Sequence, residues 1–182
     1  LYRTRGARKT ALPVVSDQRL AKEVLMSHPL FEKHRATLES AVQAIQTRGY
    51  WSAYNEMPSP KVYGATAPED GKRAFEAHLG QQFELGQPGQ TGWHGGEQSP
   101  FGFEMNVQYP VCEVNTLISA GEKAMLGWQA VGAEGRTGIY IEMLERLNQQ
   151  SFEIAHAVMM TTGQGWMMAF QAGAPHAQDR GL

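Results

Sequence analysis

The chain has 182 residues, 42% of them hydrophobic and 19% charged, with a net charge of −2. That is enough for one domain with a real core, and no apolar run reaches the ~20 residues needed to cross a bilayer. The single cysteine, Cys112, excludes an internal disulfide and a cysteine metal cluster and agrees with a cytoplasmic setting.

The near-neutral total hides a split. Before Met26, Arg3, Arg5, Arg8, Lys9, Arg19 and Lys22 oppose Asp17 and Glu23, six against two, for +4. From Met26 onward, ten basic residues face sixteen acidic ones, for −6. Residues 1–25 are therefore a basic segment distinct from residues 26–182. Met26 is expected to be the natural start, with residues 1–25 translated upstream sequence. A basic arm for an anionic partner and an Arg-rich targeting peptide are the rival readings.

From Ser27 to Gly49 the spacing predicts a helix. Phe31, Leu38, Val42 and Ile45 line one face, Ser27 can cap it, Pro29 is tolerated in the first turn, and Arg48–Gly49 ends it. Tyr50–Gly64 reads as a loop, with Trp51, Tyr54, Pro58 and Pro60 in it. Its rings are expected to pin an extended segment to the core, with ligand contact as the alternative. Pro68 starts a second helix, with Phe75 and Leu79 inward and Gly80 at its end.

Residues 81–100 are rich in Gly, Pro and Gln. Gly86, Gly89, Gly92, Gly95 and Gly96 do not make a phosphate loop, because neither G-x-G-x-x-G nor Gly-Lys-Ser/Thr is present. A turn-rich lead into a hairpin is expected instead. The strand expected there is Phe101–Tyr109, where Phe101, Phe103, Met105, Val107 and Tyr109 alternate with polar residues between Pro100 and Pro110. A strand cannot stand alone, so its partner is the Gly-rich segment or something outside this sequence.

Asn115 can cap the next helix, whose face is marked by Leu117, Gly121, Ala124 and Trp128. A short turn (Val131–Gly135) leads to a long helix over 134–162, ended by Gly163. Its apolar or small face is Tyr140, Met143, Leu144, Leu147, Ser151, Ile154, Ala155, Val158 and Met159, and its other side carries Glu142, Glu145, Arg146, Gln149, Gln150 and Glu153. Helix propensity dips near Asn148–Ser151, so a break is expected there. Trp166, Met167 and Phe170 open another helical face, which Pro175 limits. Core packing, not a cofactor box, is the reading of these Met and aromatic stripes.

No residue here assembles into a reaction centre. Cys112, in Tyr-Pro-Val-Cys-Glu, is the one candidate nucleophile and reads as an ordinary small apolar side chain. His28, His34, His78, His94, His156 and His176 show no metal-ligand spacing; His156 is placed on the long helix as a core or boundary residue with one hydrogen bond, and His94 in a loop. No Ser lies in G-x-S-x-G, and only residues 1–25 suggest nucleic acid. Catalytic, cofactor-binding and metal residues are accordingly all expected to be absent.

The run AGEKAMLGWQAVGAEGRTGIYIEMLERLNQQSFEIAHAVMMTTGQ resembles the helical pair near the N-terminus of aldehyde dehydrogenases. Trp128, Arg136, Leu144, Leu147, Glu153, Ala155 and Gly163 stand where that superfamily has a Trp-ended helix, an Arg, a Leu-rich face, an acid-and-Ala stretch and a Gly. The flanks MSHPLFEKHRATLESAVQAIQTRGYWSAYNEMPSPKVYG and TTGQGWMMAFQAGAPHAQDRGL are similar to the PaaN branch, bacterial proteins of phenylacetic acid degradation. The resemblance covers Met26 to Leu182 and implies an incomplete α/β domain: a helix-rich N-terminal fragment with a short hairpin region, ending mid-element. For the whole parent it implies oxidation of a ring-opened, CoA-linked semialdehyde, NAD(P) as hydride acceptor and a homo-oligomer, with neither nucleic acid nor membrane as partner. The parent's Cys nucleophile and Glu base would lie later in the chain. The alternative is a truncated helical interaction module without activity. The isolated chain is expected to be poorly folded, because apolar faces would lack cover.

Overall fold

A computed structural model of the chain describes residues 28–182. The expectations for residues 1–25, and for Ser27 as a cap, lie outside the described residues.

Helix α1, Pro29–Thr47, begins at His28, whose Nδ1 accepts from the Leu30 N–H at 3.2 Å, and it ends at Arg48 in the left-handed region (φ 55°). Its buried face is Phe31, His34 and Ala41. Val42 and Ile45, expected inward, are 42% and 74% exposed. At about 100° per residue both stay on the same side of the helix as that buried face, and they are exposed because the last turns of α1 carry little cover. The segment expected to be loop contains a short helix, α2, Pro60–Tyr63, capped by the Ser59 side chain. Helix α3, Ala67–His78, buries Gly71 and Phe75, and Gly80 follows at φ 71°.

Strand β1, Gln90–Gly95, pairs antiparallel with β2, Gln108–Cys112, with Trp93 opposite Pro110 and His94 opposite Tyr109. The Gly-rich segment is thus the hairpin partner, and His94 lies in a strand, not a loop. The strand expected at Phe101–Tyr109 is corrected to 108–112. Asn106 has φ 52°, which breaks an extended run, while Phe101 and Phe103 are exposed and only Met105 and Val107 are buried. Pro110 sits inside β2 instead of ending it. Before it, Met105 N–H donates to Glu97 O at 3.0 Å and Gly80 N–H to Met105 O at 2.9 Å, anchoring the buried pair without a ladder.

Helix α4, Val114–Ala130, is capped by Glu113, not Asn115: the Glu113 carboxylate accepts from the Asn115 and Thr116 N–H groups at 3.0 and 2.7 Å. No residue of α4 is buried, and its expected face, Leu117 to Trp128, covers nothing deep. The turn before the long helix is shorter than Val131–Gly135, because α5, Gly132–Gln149, starts immediately. The expected break occurs at Gln150 (φ −101°, ψ 12°), and α6, Ser151–Thr162, ends at Gly163 in the left-handed region. The buried residues along this pair are Gly135, Gly138, Ile141, Leu144, Ser151, Phe152 and Ala155. Leu144, Ser151 and Ala155 match the expected face, whereas Tyr140, Met143 and Leu147 are exposed. Helix α7, Trp166–Gly173, buries Ala169 and Phe170, and α8, Pro175–Gly181, restarts at the proline.

In space α1 lies on α5, α3 on α6, α6 on α7, and α8 on α7 and α5. Two glycines permit the closest crossings. A Cβ at Gly138 would lie 2.3 Å from the Phe31 backbone nitrogen, and one at Gly71 2.3 Å from the Phe152 Cβ. The core has two centres. One is Phe75, Met105 and Val107 with Leu79, Phe83, Ala157 and Met160 around them. The other is Phe152, Ala155 and Phe170 with Tyr63, Ala67 and Trp166. In the second, the Tyr63 ring stands edge-on to Phe152 (5.4 Å) and Phe170 (5.6 Å), the preferred geometry for the ring quadrupoles.

Candidate functional site

Cys112 closes β2, half-buried and free, opposite Gln90. Among the described residues no three His, Cys, Asp or Glu side chains are grouped to hold a metal ion. The histidines are dispersed, and several tie elements together. His34, buried on α1, meets Glu142 of α5 (Nε2–Oε2 2.8 Å). His78 at the end of α3 meets Glu153 of α6 at 2.9 Å, and His176 of α8 meets Glu56 of the aromatic loop at 3.1 Å.

Glu142 is the densest charge cluster. Besides His34 it accepts from Lys33 Nζ at 2.6 Å and from Arg146 Nε at 3.0 Å. The Lys33 hydrogen bond first, then those of His34 and Arg146, hold its carboxyl down to about 2. Helical spacing alone exposes only the Arg146 contact; the α1 partners come from the fold. The cluster is a bridge between helices.

The glycines of residues 86–96 serve the hairpin. Gly86, Gly89 and Gly96 have positive φ, and Gly92 and Gly95 lie in β1. A Cβ at Gly95 would lie 2.4 Å from the Val107 carbonyl oxygen, and the Gly89 carbonyl accepts from Glu113 N–H at 2.9 Å. The segment leads into strand β1, not into the helix start that a phosphate loop requires.

In the aromatic loop, Tyr54 is buried and Trp51 is 38% exposed. Burial first, then the charges of Glu145 and Asp179, push the Tyr54 phenol up to about 12. Asp179 of α8 clamps this loop: it accepts from Ser52 Oγ at 2.5 Å and from the Ala53 and Tyr54 N–H groups at 3.1 and 3.3 Å. Trp51 borders a shallow groove of about 300 Å³ with Ala41, Ile45 and Leu182. A second groove, about 390 Å³, runs between α3, α6 and α7 and is lined by Pro68, Glu69, Lys72, His156, Met159 and Trp166. Neither groove contains a nucleophile held by a base, the arrangement that covalent catalysis needs. What these residues can do is hold helices in register and present apolar surface.

No protein-family model and no curated protein matches the chain. Among solved structures, it is similar to the NAD-dependent aldehyde dehydrogenase from Burkholderia multivorans, with 52% sequence identity and a TM-score of 0.82. The match covers 85% of this chain and 28% of that protein, so the chain spans under a third of the length of the protein it resembles.

Proposed function

We propose that this chain is the N-terminal portion of an NAD(P)-dependent aldehyde dehydrogenase and acts as its structural shoulder, not its reaction centre. The observation that carries this reading is the 52% identity with a TM-score of 0.82 to an NAD-dependent aldehyde dehydrogenase over 85% of the chain. The helix-rich fold with one small hairpin is that of an aldehyde-dehydrogenase-like N-terminal fragment.

Aldehyde oxidation of this kind needs a thiolate to attack the carbonyl, donors for the oxyanion, a carboxylate to activate water and a nicotinamide over the reacting carbon. Cys112 at the end of β2 is not assigned to such a set, and the chemistry would belong to other parts of the parent enzyme. In the parent, α5–α8 and the hairpin would support the cofactor domain and a subunit contact. We assign the parent to the phenylacetic acid degradation (PaaN) branch, on the strength of the flanking sequence at 26–64 and 161–182. Its substrate would be a ring-opened CoA-linked semialdehyde, oxidised to the acid with NAD(P)⁺ as acceptor, in a cytoplasmic homo-oligomer.

The test is to read the coding DNA past the Leu182 codon and express the extended frame. A frame that supplies a Cys nucleophile, a Glu base and a cofactor loop, and that reduces NAD(P)⁺ with the semialdehyde, is the expected result. Extended protein that binds the nucleotide but ignores this semialdehyde overturns the branch assignment. A stop codon directly after Leu182 overturns the parent enzyme and leaves a helical interaction module.

A further inference from the structure

One titratable side chain is built into a helix junction without being used in any contact described above. His156 lies on α6, its ring nearly parallel to Phe75 of α3 (19°, centroids 6.4 Å apart) and tilted against Trp166 of α7 (46°, 4.5 Å). Its Nδ1 is buried and has no hydrogen-bond partner among the described residues. The Pro68 carbonyl at the start of α3 favours a protonated ring. A neutral imidazole suits this environment, with the Nδ1 lone pair left among carbons. A second proton, on Nδ1, would place an N–H and a positive charge where nothing accepts either.

The charged groups around it do not offset that cost. On α3, Lys72 opposes a positive ring and Glu76 favours it, while Glu69 lines the same groove. Glu153, one turn earlier on α6, is already paired with His78. Helix α7 carries no charged residue.

We propose that His156 is an acid-sensitive latch: neutral, it seals the α3–α6–α7 junction, and taking up a proton it loosens α3 and Trp166 from α6. The direction follows from linkage. Burial, the leading influence, lowers the His156 pKa below its ordinary 6.5, and the Lys72 charge adds to this. Once the junction opens, water restores the ordinary value. The closed form is therefore fully favoured above pH 6.5 and loses ground as pH falls from there through the lowered value. Each unit of lowering shifts the closed–open balance by roughly tenfold at most. The Glu142 bridge does not confuse the window, because its protonation begins to matter only below about 4.5.

The experiment is hydrogen exchange by mass spectrometry on the 182-residue chain at pH 7.5 and 5.5, corrected for the intrinsic pH dependence of exchange. Residues 67–78 and 166–173 should open more often at pH 5.5, while 29–47 keep their protection. In His156→Phe, which keeps a ring between Phe75 and Trp166, the acid-induced opening should vanish. His156→Gln is the second variant, should the phenylalanine not fold. A site-specific readout is Trp166 emission, taken as the difference between the chain and Trp166→Phe, which should change across pH 6.5–5.5 only when His156 is present. Equal opening at both pH values in the unaltered chain overturns the latch. So does acid-induced opening that persists in both His156 variants.

Discussion

At the scale of single residues, the decisive positions are those where an atom has no room or a charge has several partners. Gly138 is the first kind. A methyl group there would lie 2.3 Å from Phe31 N and 2.7 Å from Leu30 C, both backbone atoms that cannot swing aside. Gly138→Ala should cost about 1–3 kcal/mol of stability by forcing α1 off α5, read as a lowered thermal midpoint. Gly127 in α4 is the control, since nothing lies within 4 Å of the added methyl. There Gly→Ala should favour the helix by roughly 0.5–1 kcal/mol through lost chain entropy, read as slower amide exchange in α4. Glu142 is the second kind. With its carboxyl lowered from 4.5 to about 2, its share of stability is complete above pH 4.5 and disappears as pH falls from 4.5 through about 2. Unfolding midpoints of the chain and of Glu142→Gln should therefore differ at pH 6 and converge by pH 2.

At the scale of elements, helices are held by unequal means. Helices α5 and α6 are locked between α1, α3, α7 and α8, whereas α4 touches little beyond the start of α5 and buries no residue. Its side chains Ile118, Met125, Leu126 and Trp128 are 54%, 50%, 78% and 45% exposed. Backbone hydrogen bonds without tertiary cover open easily. Amides of 114–130 should thus exchange faster than those of 132–162, and equal protection of the two would show that α4 is held by packing after all. The same contrast explains what was legible in the chain. The break at Gln150 and the stop at Gly163 were readable because local chemistry sets both: weak helix formers at one, a residue free to adopt positive φ at the other. The strand at 101–109 was misread for a physical reason. Alternation marks side chains that take turns facing a core, but here only Met105 and Val107 do, and Asn106 turns the backbone between them. Pro110 looked like a boundary, yet β2 runs through it. The His34–Glu142 bridge joins residues 108 apart, so no local pattern carries it.

At the scale of the whole molecule, the exposed apolar surface is the property with the largest consequence. Tyr50, Leu126, Val114, Ile45, Phe101 and Met168 are all more than half exposed, and they are spread over α1, the aromatic loop, the segment before β2, α4 and α7. Scattered single residues of this sort are ordinary on a protein surface, but α4 concentrates them along one helix. Burial of such groups is worth ~25 cal/mol per Å² of apolar area, so water-exposed faces drive association wherever a partner face is available. The two core centres are real, with Phe170, Ala155 and Ala169 fully buried, so the chain has enough interior to hold its helix pairs together. The expected behaviour is therefore a helical chain that binds a hydrophobic dye such as ANS under native conditions and sediments above its 20.1 kDa monomer mass at micromolar concentration. If the parent enzyme proposed above covers these faces, dye binding should fall when sequence downstream of Leu182 is supplied in the same polypeptide. A monomer that melts cooperatively and binds no dye would show instead that these faces tolerate water, and would favour the self-standing module over the shoulder of a larger enzyme.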